Sequence, residues 1–200
     1  MLTKTKEKQI QWILAHPDDK VSISGLSIAT GTAYPQTYNN VKDLVKQNIL
    51  TIKNIPPSQV PQIDPKAPVD ILLSVEAKTK QEFFQKYVWV ELMLKDILDY
   101  TRDYFFILVV FGSYAKATQN SKSDLDLLLI VPSKEKISLF ENAMNKIYTK
   151  IKKNVVIVTT EQFLDMIQKS NEFNVGNEAK KYNVLLYGAE QWYNLMRKVQ

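Results

Sequence analysis

The chain has 200 residues, a length that fits one medium domain or two small ones. Its composition, 45% hydrophobic and 24% charged residues, is typical of a folded globular protein and excludes wholesale disorder. The net charge of +5 is compatible with a polyanionic partner or a phosphorylated substrate.

Two residue counts exclude whole classes of site. The sequence has no cysteine, which excludes disulfides, thiolate zinc sites and a cysteine nucleophile. Its one histidine, His16, excludes a multi-histidine metal centre. The first residues lack the apolar run of a signal peptide, and no apolar run is long enough to span a bilayer. We therefore expect a cytoplasmic protein without a membrane partner.

Residues 1–55 are predicted to form a small, mainly helical domain. Apolar spacing and capping residues predict three short helices, at about 3–15, 22–30 and 35–47. The alternating segment 48–54 then predicts a short strand. Three helices with a tight turn between the last two, followed by a strand, resemble a winged helix-turn-helix domain.

The third predicted helix has two kinds of surface. Its predicted apolar face consists of residues spaced four, three and four positions apart: Tyr34, Tyr38, Val41 and Val45. Its polar side chains include four that suit DNA base edges and phosphates: Gln36, Asn39, Asn40 and Lys42. We therefore predict contact with duplex DNA, although winged helices also serve as protein-binding modules.

A cluster of prolines follows this first domain. Five of the eight prolines fall within residues 56–68, and proline lacks the amide hydrogen that helices and central strands require. We therefore predict an extended, proline-rich linker at 56–78, which contains the domain boundary.

Residues 79–200 are predicted to form a domain of mixed helices and strands. A long amphipathic helix over 79–103 precedes two apolar strands, 105–113 and 123–131. The remaining elements alternate: a helix over 133–152, a strand over 154–160, a helix over 161–170, a strand over 183–188 and a helix over 189–199. The predicted fold class is α+β, with a mainly helical N-terminal domain followed by a mixed sheet backed by helices.

The polar residues beside the first two strands of this domain point to chemistry. Gly112 and Ser113 end the first strand, and Asp124 and Asp126 lie on the second, where residues two apart face the same side. A divalent cation compensates such like charges, and Mg²⁺ prefers carboxylate oxygens together with water and phosphate. The glycine lets a phosphate approach the backbone, where amides and the Ser113 hydroxyl can donate hydrogen bonds. The pattern therefore indicates a site for a metal ion and a nucleoside triphosphate.

This arrangement resembles the motif of the nucleotidyltransferase superfamily: Gly-Ser, ten intervening residues, then Asp-x-Asp. The flanking residues resemble those of its compact, minimal members: Ala115, Lys116 and Ser123. The resemblance covers about residues 83–195. It implies transfer of a nucleoside monophosphate from an NTP to a hydroxyl acceptor, with Mg²⁺ or Mn²⁺ held by Asp124 and Asp126.

The resemblance also implies further ligands and partners. The nucleotide-binding residues that it implies are Gly112, Ser113 and Lys116. The acceptor can be a protein, and small members of the superfamily often work beside a separate, all-helical partner chain.

One departure from the family pattern bears on catalysis. Active members use a third carboxylate on a later strand, but the matching strand here, 153–158, has no acidic residue. Asn154 falls nearest the expected place, where its amide can coordinate a metal but cannot serve as a base; Glu161 lies just beyond. Two functions stay open: a metal-dependent nucleotidyltransferase, or a DNA-binding regulator whose nucleotidyltransferase fold binds nucleotide with weak or no catalysis.

Overall fold

The structure is a computed structural model that describes residues 2–17, 19–101, 104–169 and 172–199. Helices of the described residues are α1 (Lys4–Ala15), α2 (Ile23–Thr30), α3 (Tyr34–Lys46), α4 (Val69–Lys86), α5 (Val88–Tyr100), α6 (Gly112–Ala115), α7 (Ile137–Lys146), α8 (Thr160–Gln168), α9 (Val175–Lys181) and α10 (Ala189–Arg197). The strands are β1 (Leu50–Ile55), β2 (Ser58–Ile63), β3 (Ile107–Phe111), β4 (Leu125–Val131), β5 (Lys153–Thr159) and β6 (Val184–Tyr187). The chain divides into two compact units, residues 1–76 and 77–200.

The first unit begins with three helices whose ends are set by local sequence. The Ser22 hydroxyl accepts a hydrogen bond from the Gly25 amide at the start of α2, and Gly31, with φ of 61°, ends that helix. Pro35 lies in the first turn of α3, where a missing amide hydrogen costs nothing. Buried apolar side chains from these helices and from the two following strands make up the interior: Ile10, Ile13, Ile23, Leu26, Val41, Leu44, Leu50 and Val60.

The predicted extended linker at 56–78 is wrong as a description of local structure. β1 and β2 pair as an antiparallel hairpin in which Ile52 lies opposite Pro61, and α4 then begins at Val69. The boundary between the two units falls inside α4, after Glu76. The prolines are tolerated because each strand of a two-stranded sheet has a free edge, and because Pro68 directly precedes a helix.

α3 does not bury the face that its apolar spacing predicts. Its buried residues are Thr37, Asn40, Val41 and Leu44. Tyr34, expected in the interior, is 51% exposed. A buried hydrogen-bond network accounts for the difference, because Asn40 Nδ2 donates to Gln9 Oε1 at 3.1 Å and Gln9 Nε2 donates to Thr37 Oγ1 at 3.2 Å. Polar side chains that satisfy one another can replace apolar contacts at this interface of α1 and α3.

The described residues of the second unit build a four-stranded sheet of order β5–β4–β3–β6. β3 pairs antiparallel with β4 and β6, whereas β4 pairs parallel with β5. All of β3 is buried, as is β4 except at Asp126. One apolar cluster packs α4, α5 and α7 against the sheet, and a second packs α8, α9 and α10 against it. Helices therefore cover both faces, which explains the continuous apolar runs of the central strands.

The long helix predicted over 79–103 is in fact two helices. It starts earlier, at Val69, and is broken at Tyr87, whose φ of −130° and ψ of 65° are not helical. The ring of Tyr87 packs 4.7 Å from that of Phe83 and 5.2 Å from that of Tyr114, measured between centroids. This tertiary contact overrides the helical periodicity. The predicted end at Asp103 lies outside the described residues.

Two other boundaries in the second unit differ from the predictions. The helix predicted over 133–152 is a 3₁₀ turn at Lys134–Lys136 followed by α7, which ends at Lys146. Ile147 has an extended backbone, with ψ of 123°, and the chain after it leads into β5. α9 forms where no element was predicted, and the predicted helix end at Ser170 lies outside the described residues.

Candidate functional site

The sheet of the second unit brings three chain segments together at one edge. β3 ends at Phe111 opposite Asp126, and Asp126 lies beside Asn154 in the parallel pairing of β4 with β5. Because β3 runs antiparallel to β4 and β5, its carboxyl end lies at the same edge as their amino ends. Gly112, the first residue of α6, therefore lies against Asp126, and Asn154 contacts the same aspartate from the β5 side.

Gly112 lies directly against Asp126. It has a φ of 66°, in the left-handed region, and a Cβ atom there would lie 3.1 Å from Asp126 Cγ and 3.3 Å from Asp126 Cβ. The sequence suggests that glycine is needed to let a phosphate approach the backbone. In the structure, the aspartate itself occupies the space that a side chain at Gly112 would take.

Asp124 and Asp126 each have a partner at the start of β5. Lys152 Nζ lies 2.9 Å from Asp124 Oδ2, and Asn154 Nδ2 donates to Asp126 Oδ1 at 3.1 Å. Asp124 was predicted to lie on the strand, but in the structure it immediately precedes β4. Asp124 and Asp126 are two residues apart, and so are their partners Lys152 and Asn154. The two contacts therefore lie side by side.

The ammonium group of Lys152 is held by its aspartate. Its hydrogen bond to Asp124, together with the charge of that carboxylate, raises the pKa of Lys152 above its usual value. The Lys152 side chain is 79% exposed and that of Asp124 is 35% exposed, so the pair lies at the surface of the site. An ion pair so exposed contributes little to stability.

Ser113 lies in α6, directly after Gly112. Within the described parts of the chain, no side chain or backbone group makes a hydrogen bond to its hydroxyl. The first amides of a helix also have no acceptor within that helix. Ser113 and the turn before it therefore offer hydrogen-bond donors beside the aspartates.

Lys116, the third predicted nucleotide-binding residue, contacts residues outside the aspartate cluster. Its Nζ forms an ion pair with Glu178 of α9 and lies 4.9 Å from the centroid of the Tyr182 ring. It makes no contact with Asp124 or Asp126 in the described structure. The sequence analysis did not identify Glu178, because the residue pattern there did not predict α9.

An aromatic cluster fixes α6 from the interior. The ring centroid of buried Tyr114 lies 5.2 Å from that of Tyr87 and 6.3 Å from that of Trp89. Burial, with a smaller contribution from Tyr87, raises the pKa of the Tyr114 hydroxyl. Gln119, in the loop after α6, donates a hydrogen bond to the Tyr87 hydroxyl. The aromatic cluster thus holds the turn at Gly112 and Ser113 in place.

The donor atoms at this edge suit one divalent ion. Asp124 and Asp126 offer the hard carboxylate oxygens that Mg²⁺ and Mn²⁺ bind, and water and phosphate can complete the shell. In the described part of the chain, no group of three or more His, Cys, Asp and Glu side chains comes together. Asn154 stands where the resemblance implies a third carboxylate. Glu161 lies in α8, beyond the far end of β5, whose last residue, Thr159, is about 16 Å from Asn154 at the usual rise per residue. The site therefore offers two carboxylates and a neutral amide in place of the three carboxylates that the resemblance implies.

Lys152 is the residue at this edge that sequence analysis missed. It was predicted to end a helix over 133–152, which hid its relation to the strand that follows. Its position two residues before Asn154 was the available signal, since alternate residues of an extended segment share a face.

In the first unit, α3 presents three of its four predicted DNA-binding residues to solvent. Gln36, Asn39 and Lys42 are exposed, and Lys42 Nζ lies 4.5 Å from the ring centroid of Tyr38. Asn40 is 8% exposed and belongs to the buried network with Gln9. The prediction that Asn40 contacts DNA is therefore wrong, because its amide is used in the interior.

No helix in the described ranges is both long and apolar enough to cross a bilayer.

Comparison with known proteins gives one match. A family model described as "Polymerase beta, Nucleotidyltransferase" matches residues 93–187, a segment that contains the Gly-Ser turn, both aspartates and Asn154. No curated protein and no solved structure gives a significant match to the chain. Nucleotidyltransferase domains generally use divalent metal ions and act on nucleoside triphosphates. The match supports placing residues 93–187 in the nucleotidyltransferase superfamily, with a nucleotidyltransferase-like function.

Proposed function

We propose that the second unit binds a nucleoside triphosphate together with Mg²⁺ or Mn²⁺ and transfers its nucleoside monophosphate, slowly, to a hydroxyl acceptor. The observation that carries this proposal is the single cluster formed by Gly112, Asp124 and Asp126, with Asn154 beside it. The family match over the same segment supports it independently.

Each member of the cluster has a separate role in this proposal. Asp124 and Asp126 would hold the metal ion, which when bound neutralises charge on the phosphates. The Ser113 hydroxyl and the amides of the turn donate hydrogen bonds to phosphate oxygens. Lys116 takes no direct part, since Glu178 and Tyr182 already engage its ammonium group.

The proposed transfer breaks a phosphoanhydride bond of the NTP and forms a phosphoester bond to the acceptor. The acceptor oxygen bonds to the α-phosphorus, the bond from that phosphorus to the bridging oxygen breaks, and pyrophosphate leaves. The hydroxyl proton must go to a base, and a well-placed one accelerates such a step roughly 10²–10⁴-fold. Asn154 is a neutral amide that already donates to Asp126, so it cannot accept the proton. We therefore expect the protein to bind nucleotide readily but to transfer the nucleoside monophosphate slowly.

Calorimetry of NTP binding with and without Mg²⁺ tests the proposal. Combined Asp124→Asn and Asp126→Asn substitutions should abolish metal-dependent binding and leave the fold intact, because they remove adjacent like charges. Asp165→Asn, at an exposed position of α8, removes a carboxylate from the same unit and should bind like the natural chain. Equal NTP affinity with and without metal would reject the proposal.

The acceptor follows from chemistry only as a hydroxyl group. A protein side chain is a candidate acceptor, and a separate helical chain is a candidate partner. Incubation of the protein with each labelled NTP, Mg²⁺ and cell extract would show which acceptor becomes labelled.

A second candidate function is a DNA-binding regulator whose second unit senses nucleotide without transfer. It is favoured by the exposed row on α3, which offers Gln36, Asn39 and Lys42, and by the order of three helices and a hairpin in the first unit. Under this proposal the first unit is a winged helix, with β1 and β2 as its wing. The absence of pyrophosphate release with every acceptor, together with salt-sensitive DNA binding, would favour it over transfer.

A further inference from the structure

We infer that Lys152 is a nucleotide-binding residue: its ammonium group pairs with Asp124 in the free protein and moves to a phosphate oxygen once the aspartates hold a metal ion. This inference rests on the proposed function, which it deepens by assigning a phosphate ligand that the family motif does not contain.

The backbone of Lys152 is tied to β4, whereas its side chain is mostly exposed and contacts Asp124 only through its end. Its carbonyl oxygen accepts a hydrogen bond from the Leu125 amide at 2.9 Å, which ties it to the start of β4. Its side chain is 79% exposed, and its Nζ lies 2.9 Å from Asp124 Oδ2. A lysine ammonium on a flexible four-carbon stem can shift by several ångströms without moving the backbone.

The charges at this edge explain why a lysine is useful there. The two aspartates and Lys152 together carry a single negative charge, whereas three carboxylates would carry three. With one divalent ion bound, the cluster with Lys152 becomes net positive, and without Lys152 it would be neutral. A net positive cluster attracts a polyphosphate, so the lysine adds to the positive charge that a single divalent ion supplies.

The inference predicts effects of opposite sign in two binding assays. Without nucleotide, the ammonium group competes with a cation for Asp124, so removing it should strengthen metal binding. With a polyphosphate, the same group is a ligand, so removing it should weaken binding. An ordinary exposed ion pair would give neither effect, since such pairs contribute little.

The test uses the full chain with Lys152→Gln, Lys152→Arg and the control Lys150→Gln. Lys150 is exposed and two residues earlier, and it contacts neither aspartate in the described structure. Electron paramagnetic resonance of free Mn²⁺ gives the metal affinity, and calorimetry with inorganic triphosphate and Mn²⁺ gives the polyphosphate affinity.

We expect Lys152→Gln to bind Mn²⁺ about fivefold more tightly and Mn²⁺-triphosphate about fivefold more weakly, the factor for one charge contact in water. Lys152→Arg and Lys150→Gln should each resemble the natural chain. Unchanged affinities, changes of the same sign in both assays, or an equal effect of Lys150→Gln would overturn the inference. If the double aspartate variant still abolishes metal-dependent NTP binding in that case, the proposed function stands without it.

Discussion

A methyl group on Gly112 would lie 3.1 Å from Cγ of Asp126, so the two halves of the motif form one packing unit. The glycine directly follows β3, and the aspartate is the second residue of β4. Their contact depends on the antiparallel register that sets Phe111 opposite Asp126. The packing of β3 against β4 therefore requires the spacing of the motif, in addition to any requirement of ligand binding.

Gly112→Ala should abolish metal-dependent NTP binding, because the new methyl group displaces the Asp126 carboxylate. It should also cost roughly 1–2 kcal/mol for the left-handed backbone and about 1–3 kcal/mol for the overlap. The control is Gly31→Ala, which has a similar φ of 61° but nothing within 4 Å of the new atom. Calorimetry and urea unfolding of both variants would check this; NTP binding retained by Gly112→Ala would contradict it.

Ser113→Ala should weaken NTP binding by about 1–3 kcal/mol, the range for losing a hydrogen bond to a charged group. Ser121→Ala, at an exposed position of the loop before Asp124, removes the same hydroxyl elsewhere and should have no effect. The comparison requires titration of each variant with the same Mg²⁺-NTP. An unchanged affinity of Ser113→Ala would leave this serine as a turn residue only.

The strands that carry the site were largely predictable, whereas α9 and the ends of several helices were not. Short continuous apolar runs predicted the strands, and a side-chain period of two placed Asp124 and Asp126 on one side. The break at Tyr87 depends on rings from distant parts of the chain, and the ion pair of Lys116 depends on the unpredicted α9. Such tertiary contacts leave no local periodicity to detect.

The first unit should bind duplex DNA with an affinity that falls as salt concentration rises, because lysines that meet phosphates release counterions. Lys42→Ala should weaken binding to all sequences and lower the salt dependence by about one unit of slope. Asn39→Ala should instead change the sequence preference. Lys95→Ala, on α5, removes the same charge and serves as the control. The absence of salt-sensitive binding at low ionic strength would identify the unit as a protein-interaction module instead.

Asn40→Ala should destabilise the first unit by about 1–3 kcal/mol, because it leaves Gln9 Oε1 buried without its donor. The neighbouring change Asn39→Ala, at an exposed position, should alter stability by less than about 0.5 kcal/mol. Urea unfolding of the two variants gives the comparison. Equal stabilities would mean that the buried network contributes nothing.

The buried network of α3 shows why the sequence alone predicted the wrong buried face of this helix. Helical spacing treats Thr37 and Asn40 as polar and assigns them to solvent, but partners on α1 satisfy them in the interior. The prolines misled in a similar way, since a proline in an edge strand such as β2 has no ladder bond to lose. Both errors arise because the residue type alone does not show which groups surround that residue in the fold.

The most direct test of the central claim compares pyrophosphate release by the natural chain and by Asn154→Asp. The natural chain is predicted to bind Mg²⁺-NTP readily and to release pyrophosphate slowly. The new carboxylate, beside Asp126, can accept the acceptor's proton, so release should rise by up to about 10²–10⁴-fold while NTP affinity changes much less. Asn194→Asp, at an exposed position of α10, adds the same charge and should leave the rate unchanged. Equal release by the natural chain and Asn154→Asp, or none by either, would contradict the account.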